Sequence, residues 1–345
     1  MMSFEEKDLV VLGVDFSTIP LIRELCLYGY KNLMTIDQSI EPGVYTGTYR
    51  SGGFSIEKFY ILLERDIAKD FSKIDAEVAC VKPRIRVAKE GDLRRKTACW
   101  RNVDPWWLPK DLDEICMIRN SGDYVKNRVL AGCAEYTFYT PRKIDLDHKI
   151  VFLRNGRILR YKKLIASYPL NKILDILRGD EISIETRQDL LRRLRWTGVL
   201  SVSLGVKGSS TEDQMVFHGT RASRTYMFLN ISNMFEDVTP KDHYLLNLQM
   251  SFCEEYPPPP DVYSRAVAEA RWARLYSDDK EIVLERSFVI SHLLPYNIDE
   301  KISDEIRHHL MSKDLYLIGV RGRAFPLSIS DQLREYEKIF SEITS

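Results

Sequence analysis

The fold is decided near the N-terminus by residues 9–18, Leu9-Val-Val-Leu-Gly-Val-Asp-Phe-Ser-Thr18. The apolar run Leu9–Leu12 is typical of a buried parallel strand, and Gly13 follows it directly. Apolar residues at helical spacing then predict a helix from Thr18 to Leu27, and Gly29 is well placed to end it. These residues predict a strand, a tight turn and a helix.

A second apolar run, residues 33–36, completes a βαβ unit and ends in Asp37. In such units, an acid at this position binds a ribose hydroxyl of a dinucleotide. The sequence therefore predicts a dinucleotide-binding fold in which Asp37 is a candidate cofactor ligand.

The turn of this unit departs from the pattern that binds a dinucleotide. The usual three glycines permit a tight turn, a close approach of the pyrophosphate and close packing of the helix. Here only Gly13 is retained, and Asp15, Ser17 and Thr18 stand in the rest of the loop. A carboxylate at Asp15 would repel a pyrophosphate by on the order of several kcal/mol. It would also favour the helix N-terminus by roughly 0.3–1 kcal/mol, so Asp15 is expected to keep the fold and weaken the site.

Composition describes a globular chain. The 345 residues, 44% of them hydrophobic, suffice for two domains, or for one domain with a large insertion. Fifty basic and fifty acidic side chains cancel, which gives no reason to expect nucleic-acid or membrane binding. The N-terminus lacks the basic and long apolar regions of a signal peptide, and no apolar run is long enough to span a bilayer. A cytoplasmic protein is expected.

The spacing of the cysteines and histidines predicts neither a metal site nor a disulfide framework. The six cysteines are scattered without a CxxC pair, which argues against a zinc ribbon and against a disulfide framework. No HExxH motif is present, so no metal site is expected. Glutamine is scarce, which favours a thermophilic source.

The remainder of the chain predicts a second set of strands and helices. An Asn155-Gly156 turn predicts a β-hairpin within residues 150–161. The adjacent Trp106 and Trp107 are expected to fill the side of a core. The other predicted strands are 78–87, 164–169, 199–206, 225–231, 244–252, 281–292 and 315–319, and the other predicted helices are 59–71, 171–177, 181–194, 262–275, 302–310 and 332–343.

The order of these elements resembles that of the FAD-dependent amine-oxidase-like flavoproteins, most closely the branch of UDP-galactopyranose mutase and protoporphyrinogen-oxidase-like enzymes. About half of the chain carries the resemblance, and residues 60–140 do not align. The matching segments are residues 9–39 (the opening βαβ unit), 41–45 with 52–56 (a glycine-containing motif), 160–170 (the return to the nucleotide domain), and 315–323 with Asp331-Gln332 (the closing strand, glycine loop and helix).

The resemblance implies an α/β protein with a Rossmann-type FAD/NAD(P)-binding domain and a second, mixed-sheet domain. The first would comprise residues 1–60, 145–180 and 300–345, and the second residues 61–144 and 181–299. It also implies FAD as the cofactor and a further set of candidate cofactor-binding residues, namely Gly43, Gly319, Arg321, Gly322, Arg323 and Asp331.

The sequence departs from the family pattern at three further places, and these departures also weaken the predicted cofactor site. Val44 replaces a glycine, Glu57-Lys58 replaces a further glycine pair, and Val320 replaces a common arginine. Two functions therefore stay open. The first is an FAD-dependent oxidoreductase or sugar-nucleotide mutase with a degenerate flavin site, and the second is a non-catalytic subunit of flavoprotein fold that binds a protein partner. No catalytic residue is identified by spacing.

Overall fold

The structure is a computed structural model that describes residues 4–40, 42–73, 75–130, 133–179, 182–298 and 300–344. The chain forms two compact units. Unit 1 comprises Met1–Gly47, Gly122–Arg195 and Leu294–Ser345, and unit 2 comprises Thr48–Ser121 and Trp196–Leu293. These bounds differ from the predicted domains because residues 122–144, 181–195 and 294–299 lie in unit 1 and residues 48–60 lie in unit 2.

Helices and strands are numbered in chain order. The strands are β1 (Glu5–Leu12), β2 (Leu33–Ile36), β3 (Thr48–Ser51), β4 (Phe54–Glu57), β5 (Val78–Val81), β6 (Ile85–Lys89), β7 (Ile115–Ile118), β8 (Ala134–Thr137), β9 (Pro141–Asp145), β10 (Ile150–Leu153), β11 (Ile158–Ala166), β12 (Leu177–Arg178), β13 (Arg195–Lys207), β14 (Met215–His218), β15 (Thr225–Asn230), β16 (His243–Phe252), β17 (Ile282–Tyr296) and β18 (Leu315–Leu317). The α-helices are α1 (Thr18–Leu27), α2 (Arg65–Lys73), α3 (Leu93–Thr97), α4 (Ser121–Tyr124), α5 (Leu170–Ile176), α6 (Ile184–Arg193), α7 (Val262–Trp272), α8 (Glu300–Met311), α9 (Gly319–Arg323) and α10 (Ile329–Thr344). A π-helical turn spans Val125–Val129, and a 3₁₀ turn spans Ile231–Asn233.

Unit 1 is built on a mixed sheet whose described strands run in the order β12-β9-β10-β11-β1-β2-β8, with β18 also paired to β11. β1 is parallel to both β11 and β2, and β8 and β18 continue the parallel set. Leu9–Leu12 are buried because helices cover both faces of a parallel sheet. The predicted strand, turn and helix over residues 9–28 are confirmed, as is the Rossmann-type fold class.

Unit 2 is built on a second sheet in the order β17-β13-β16-β15-β14-β6. Alternate residues of β13 point to opposite faces, since successive side chains of a strand alternate. Leu200, Val202 and Leu204 join the hydrophobic cluster that also takes in buried residues of α7, whereas Ser201 and Ser203 lie on the other face. The expected mixed sheet of the second domain is present.

Local predictions fail where tertiary contacts decide the backbone. The helix expected over residues 59–71 begins only at Arg65, because residues before it form a buried segment in which Leu63 exchanges backbone hydrogen bonds with Cys116. The segment 78–87 forms two strands, β5 and β6, with a break around Pro83, and a break or an edge position is what a proline in this strand pattern predicts. Trp107 is buried, and Trp106 donates its indole N–H to the carbonyl of Leu293, so both fill a core as predicted.

The prediction that the cysteines form no disulfide framework is wrong. All six are paired, as Cys26–Cys133, Cys80–Cys116 and Cys99–Cys253. Partners are separated by 36 to 154 residues, so only the fold brings them together and no local spacing reveals them. The first disulfide lies within unit 1, and the other two lie within unit 2.

None of the helices within the described ranges is long and apolar enough to cross a lipid bilayer. No group of three or more histidine, cysteine or acidic side chains in the same ranges is arranged to hold a metal ion.

Candidate functional site

The candidate site begins where β1 ends. Gly13 has φ +89°, a conformation that favours glycine, and its N–H donates to the carbonyl of Ile36 on the neighbouring strand at 2.7 Å. A Cβ at this position would lie 2.5 Å from Ser167 Oγ. Gly13 therefore keeps the tight turn of a dinucleotide loop, because both its backbone angle and its surroundings require glycine.

Asp15 fills the turn that follows. Its Oδ1 atom accepts hydrogen bonds from the backbone N–H groups of Ser17 at 3.0 Å and Thr18 at 3.3 Å. In return, the Asp15 N–H donates to Thr18 Oγ1 at 2.8 Å, and that hydroxyl donates to the carbonyl of Gly13 at 3.1 Å. The N–H groups that would face a phosphate are thus bonded within the chain, since a carboxylate caps the helix as an anion would.

The Asp15 carboxyl is buried, with 1% of its surface exposed. Burial raises the pKa of Asp15 to about 6, while the Arg321 guanidinium and the N–H groups of Ser17 and Thr18 oppose that rise. Arg321 is itself 2% exposed, and its guanidinium lies 5.8 Å from the ring centre of Tyr168. The site therefore holds a buried carboxyl group, that of Asp15, and a buried guanidinium group, that of Arg321.

The closing glycine segment packs directly on this turn. Gly319 has φ +72°, and a Cβ there would lie 2.6 Å from Ser17 Oγ and 3.3 Å from Asp15 Oδ2. A Cβ at Gly322 would lie 2.2 Å from the carbonyl oxygen of Ala166 at the end of β11. Both glycines are needed for close contact between segments of the chain. The glycine loop predicted here is the short helix α9.

Asp37 lies at the end of β2, as predicted, but its carboxylate is engaged. Oδ1 accepts from the N–H of Gln38 at 2.6 Å, and Oδ2 accepts from the N–H of Gly43 at 2.8 Å. Asp37 is fully buried. Gly43 has φ +112°, and a Cβ on it would lie 1.7 Å from Thr46 Oγ1, so Gly43 serves this local turn. Glu41, the first residue of this motif, lies outside the described residues.

The remaining candidates do not join the site in the same way. Arg323 forms ion pairs with Asp304 at 3.1 Å and with Glu335 at 3.3 Å, so two carboxylates already neutralise it. Asp331 is exposed in the first turn of α10, where its carboxylate accepts a hydrogen bond from the Ser328 hydroxyl at 2.6 Å. The structure thus gathers Gly13, Asp15, Ser17, Thr18, Gly319 and Arg321 around one turn.

Sequence reasoning missed Glu335, which holds the closing segment in place. Its Oε2 atom accepts from the Gly319 N–H at 2.7 Å, and its Oε1 atom pairs with Arg323. Burial raises the pKa of Glu335 against the opposing effect of these partners. Glu335 lies on the inner side of an amphipathic helix, and nothing in its local sequence distinguishes it from a solvent-facing acid.

Unit 2 carries a second buried polar cluster. Trp107 Nε1 donates to the Tyr226 hydroxyl at 3.1 Å, and that hydroxyl donates to Gln249 Oε1 at 2.6 Å. Gln249 Nε2 donates to the carbonyl of Tyr60 at 2.8 Å. These side chains bond to one another and are buried. The cluster is therefore structural, and it offers no acid, base or nucleophile to a substrate.

The residues present do not fit the pyrophosphate of FAD. Binding would require free N–H donors at the start of α1 and room for an anion beside them. Asp15 takes the N–H donors of Ser17 and Thr18 and places a carboxyl in that space. Two arginines, Arg321 and Arg323, are predicted to bind an anion, and Arg323 already forms ion pairs. Arg321 forms no ion pair among the described residues. Its Nε and Nη1 atoms are buried and have no hydrogen-bond partner there.

Comparison with known proteins identifies the fold through structure. No protein-family model matches the sequence, and no curated protein is similar to it in sequence. The structure is similar to reduced UDP-galactopyranose mutase, with a TM-score of 0.79 at 13% identity over 98% of this chain and 94% of that chain. A provisionally assigned protoporphyrinogen oxidase from an Exiguobacterium species matches with a TM-score of 0.70 at 11% identity, covering 99% of this chain and 100% of that chain.

Putrescine oxidase bound to putrescine is also similar, with a TM-score of 0.65 at 10% identity, covering 99% of this chain and 100% of that chain. The chain therefore has the fold of the FAD-dependent amine-oxidase-like flavoproteins. The resemblance inferred from the order of sequence motifs is confirmed at the level of fold.

Proposed function

We propose that this chain is a non-catalytic protein of flavoprotein fold, in which its own side chains close the dinucleotide site, and that it acts by binding a protein partner. The observation that carries the proposal is the Asp15 carboxylate, which accepts the N–H groups at the start of α1. Such a substitution keeps the helix capped without a cofactor. The fold is then available as a scaffold, since a fold does not by itself imply a function.

The engagement of the other cofactor candidates supports the same proposal. Asp37 accepts two backbone N–H groups, and Arg323 is neutralised by Asp304 and Glu335. Asp37 and Arg323, which would bind FAD in an enzyme of this fold, thus have structural roles here. The protein is in this sense a pseudoenzyme, and its retained charges stabilise the loops.

The alternative is an FAD-dependent oxidoreductase or sugar-nucleotide mutase acting on a small substrate. Arg321 favours it, because two buried guanidinium nitrogens without a partner among the described residues are costly unless an anion or water satisfies them. In that case Arg321 would contact a phosphate and Asp37 the adenosine ribose. The flavin would supply the redox chemistry, and the chain would bind and orient it.

Titration with FAD separates the two functions. The purified protein and its Asp15→Gly variant are titrated while flavin fluorescence is followed, with Asp331→Gly as the control because Asp331 is an exposed acid in the first turn of another helix. We expect no binding by the native protein, measurable binding by Asp15→Gly and none by the control. Tight binding of FAD by the native protein would overturn the proposal and favour the enzyme.

The proposal also includes the cellular compartment and the kind of organism in which the protein works. Disulfides are typical of oxidising compartments, but they also occur in intracellular proteins of hyperthermophiles. Three disulfides and the scarcity of glutamine together favour the cytoplasm of a thermophile. We expect a thermal midpoint above about 90 °C by circular dichroism, and a midpoint typical of mesophilic proteins would contradict this setting.

A further inference from the structure

A pocket within unit 2 gathers basic side chains around two aromatic rings. Its charged and aromatic lining consists of Lys96, Arg221, Arg224, Arg265, Trp100 and Tyr256. The cavity measures about 100 Å³, which is room for a small ion or for the charged group of a larger molecule. Because acidic and basic residues balance over the whole chain, this is a local excess of positive charge.

Two of the arginines are held against the aromatic rings. The Arg221 guanidinium lies 4.8 Å from the ring centre of Trp100, and that of Arg224 lies 5.4 Å from the ring centre of Tyr256. Within the described ranges neither guanidinium forms an ion pair, whereas Arg265 pairs with Glu269 at 2.5 Å. Stacking on a ring fixes the plane of a guanidinium and leaves its N–H edge free to bind an oxyanion.

Lys96 lines the pocket and is 4% exposed. Its Nζ atom donates to the carbonyls of Thr225 at 2.7 Å and His218 at 2.8 Å, and to Ser223 Oγ at 3.2 Å. Burial lowers the pKa of Lys96 to about 7, although the nearby Glu269 carboxylate opposes this. An anion in the pocket would offset the cost of burying that ammonium.

The backbone beside the pocket is fixed in an unusual conformation. Cys99 and Trp100 are consecutive non-glycine residues with φ of 56° and 65°, in the left-handed region. The Cys99–Cys253 disulfide ties this segment to the end of β16. Strained backbone of this kind often serves a binding site. Here it presents the Trp100 ring to Arg221 in a preorganised position.

We propose that this pocket binds the phosphate group of a small organic phosphate. The guanidinium edges of Arg221 and Arg224 would bind the phosphate oxygens, and the Lys96 ammonium would add charge from beneath. A tetrahedral dianion suits this set better than a single carboxylate, because several donors converge on one small space. The proposal is independent of whether unit 1 binds FAD.

The test is calorimetric titration of the full-length protein with inorganic phosphate at constant ionic strength. The variants are Arg221→Ala and Arg224→Ala, and the control is Arg271→Ala, which removes an exposed arginine of α7 that pairs with Asp278 outside the pocket. We expect each pocket variant to weaken phosphate binding about tenfold or more, and the control to change it less than about twofold.

Two results would contradict the proposal. Lack of phosphate binding by the native protein at concentrations up to about 10 mM would overturn the proposal, as would equal binding by the native protein and both pocket variants. Tighter binding of citrate than of phosphate would overturn the choice of phosphate.

Discussion

Asp15 takes the place at the start of α1 that a phosphate occupies in dinucleotide-binding proteins. Its Oδ1 atom accepts hydrogen bonds from two N–H groups at the helix N-terminus. Because Asp15 is only 1% exposed, its carboxylate charge is poorly solvated. The acid therefore has opposing effects, because it caps the helix but is costly to ionise. Because of these opposing effects, the contribution of Asp15 to the free energy of unfolding depends on pH.

The first prediction concerns the pH dependence of stability in the Asp15→Asn variant. The pKa of Asp15 is about 6 in the folded chain against 3.8 as its ordinary value, so the folded state holds the proton more tightly. The contribution of Asp15 to the free energy of unfolding therefore falls as the pH rises from about 4 to about 6. Relative to the native protein, Asp15→Asn should gain up to about 3 kcal/mol between about pH 4 and about pH 7.

Urea unfolding of both proteins at the two pH values measures this difference. Other buried acids, such as Glu57 and Glu335, also titrate with raised pKa values, but they are common to both proteins and cancel in the comparison. A difference in unfolding free energy that does not change with pH would show that Asp15 does not ionise as described.

The second prediction concerns Gly43. Gly43→Ala should lower the free energy of unfolding by on the order of 2–3 kcal/mol, because it combines backbone strain at φ +112° with overlap on Thr46. Gly29→Ala is the matched control, since Gly29 has φ +100° and nothing within 4 Å of an added Cβ. The control should lose only the backbone part, on the order of 1 kcal/mol. Equal losses in chemical denaturation would contradict the overlap at Gly43.

At the scale of elements, the sequence predicts what is local and misses what is not. β1, α1 and β2 are predictable because an apolar run, a glycine and a helical spacing act within thirty residues. Residues 59–63 are apolar and were expected to begin a helix, but Leu63 bonds to Cys116 far along the chain. Asp331 is predicted to bind the cofactor, and in the structure it is exposed in the first turn of α10, which leaves that prediction untested.

The third prediction tests a link between elements, the Cys26–Cys133 disulfide. It joins the end of α1 to the segment before β8 across 107 residues. Replacing both cysteines by serine should lower the free energy of unfolding by about 5 kcal/mol, since the unfolded chain regains the entropy of a long loop. Urea unfolding measures the loss, and peptide mapping without reduction checks the pairing. Labelling of Cys26 and Cys133 by a thiol reagent in the native protein would contradict the disulfide.

At the scale of the whole molecule, the fold and the chemistry of the site carry different information. The order of weak motifs predicted the flavoprotein fold, and similarity to UDP-galactopyranose mutase over 98% of the chain confirms it at 13% identity. The loop predicted that Asp15 opposes a pyrophosphate and favours the start of α1, and its bonds to the N–H groups two and three residues further on agree with that prediction. It did not predict that Glu335 would hold Gly319, because that contact joins α10 to the segment after β18 and only the three-dimensional structure reveals it.

The most direct test of a closed dinucleotide site is the absorption spectrum of the protein purified without added cofactor, followed by mass analysis of whatever denaturation releases. We predict a colourless protein with absorption from its aromatic residues alone and no released flavin. Absorption bands of a flavin, with FAD released in about equal amount to the chain, would contradict the central claim, because the pyrophosphate would then bind where Asp15 now caps α1.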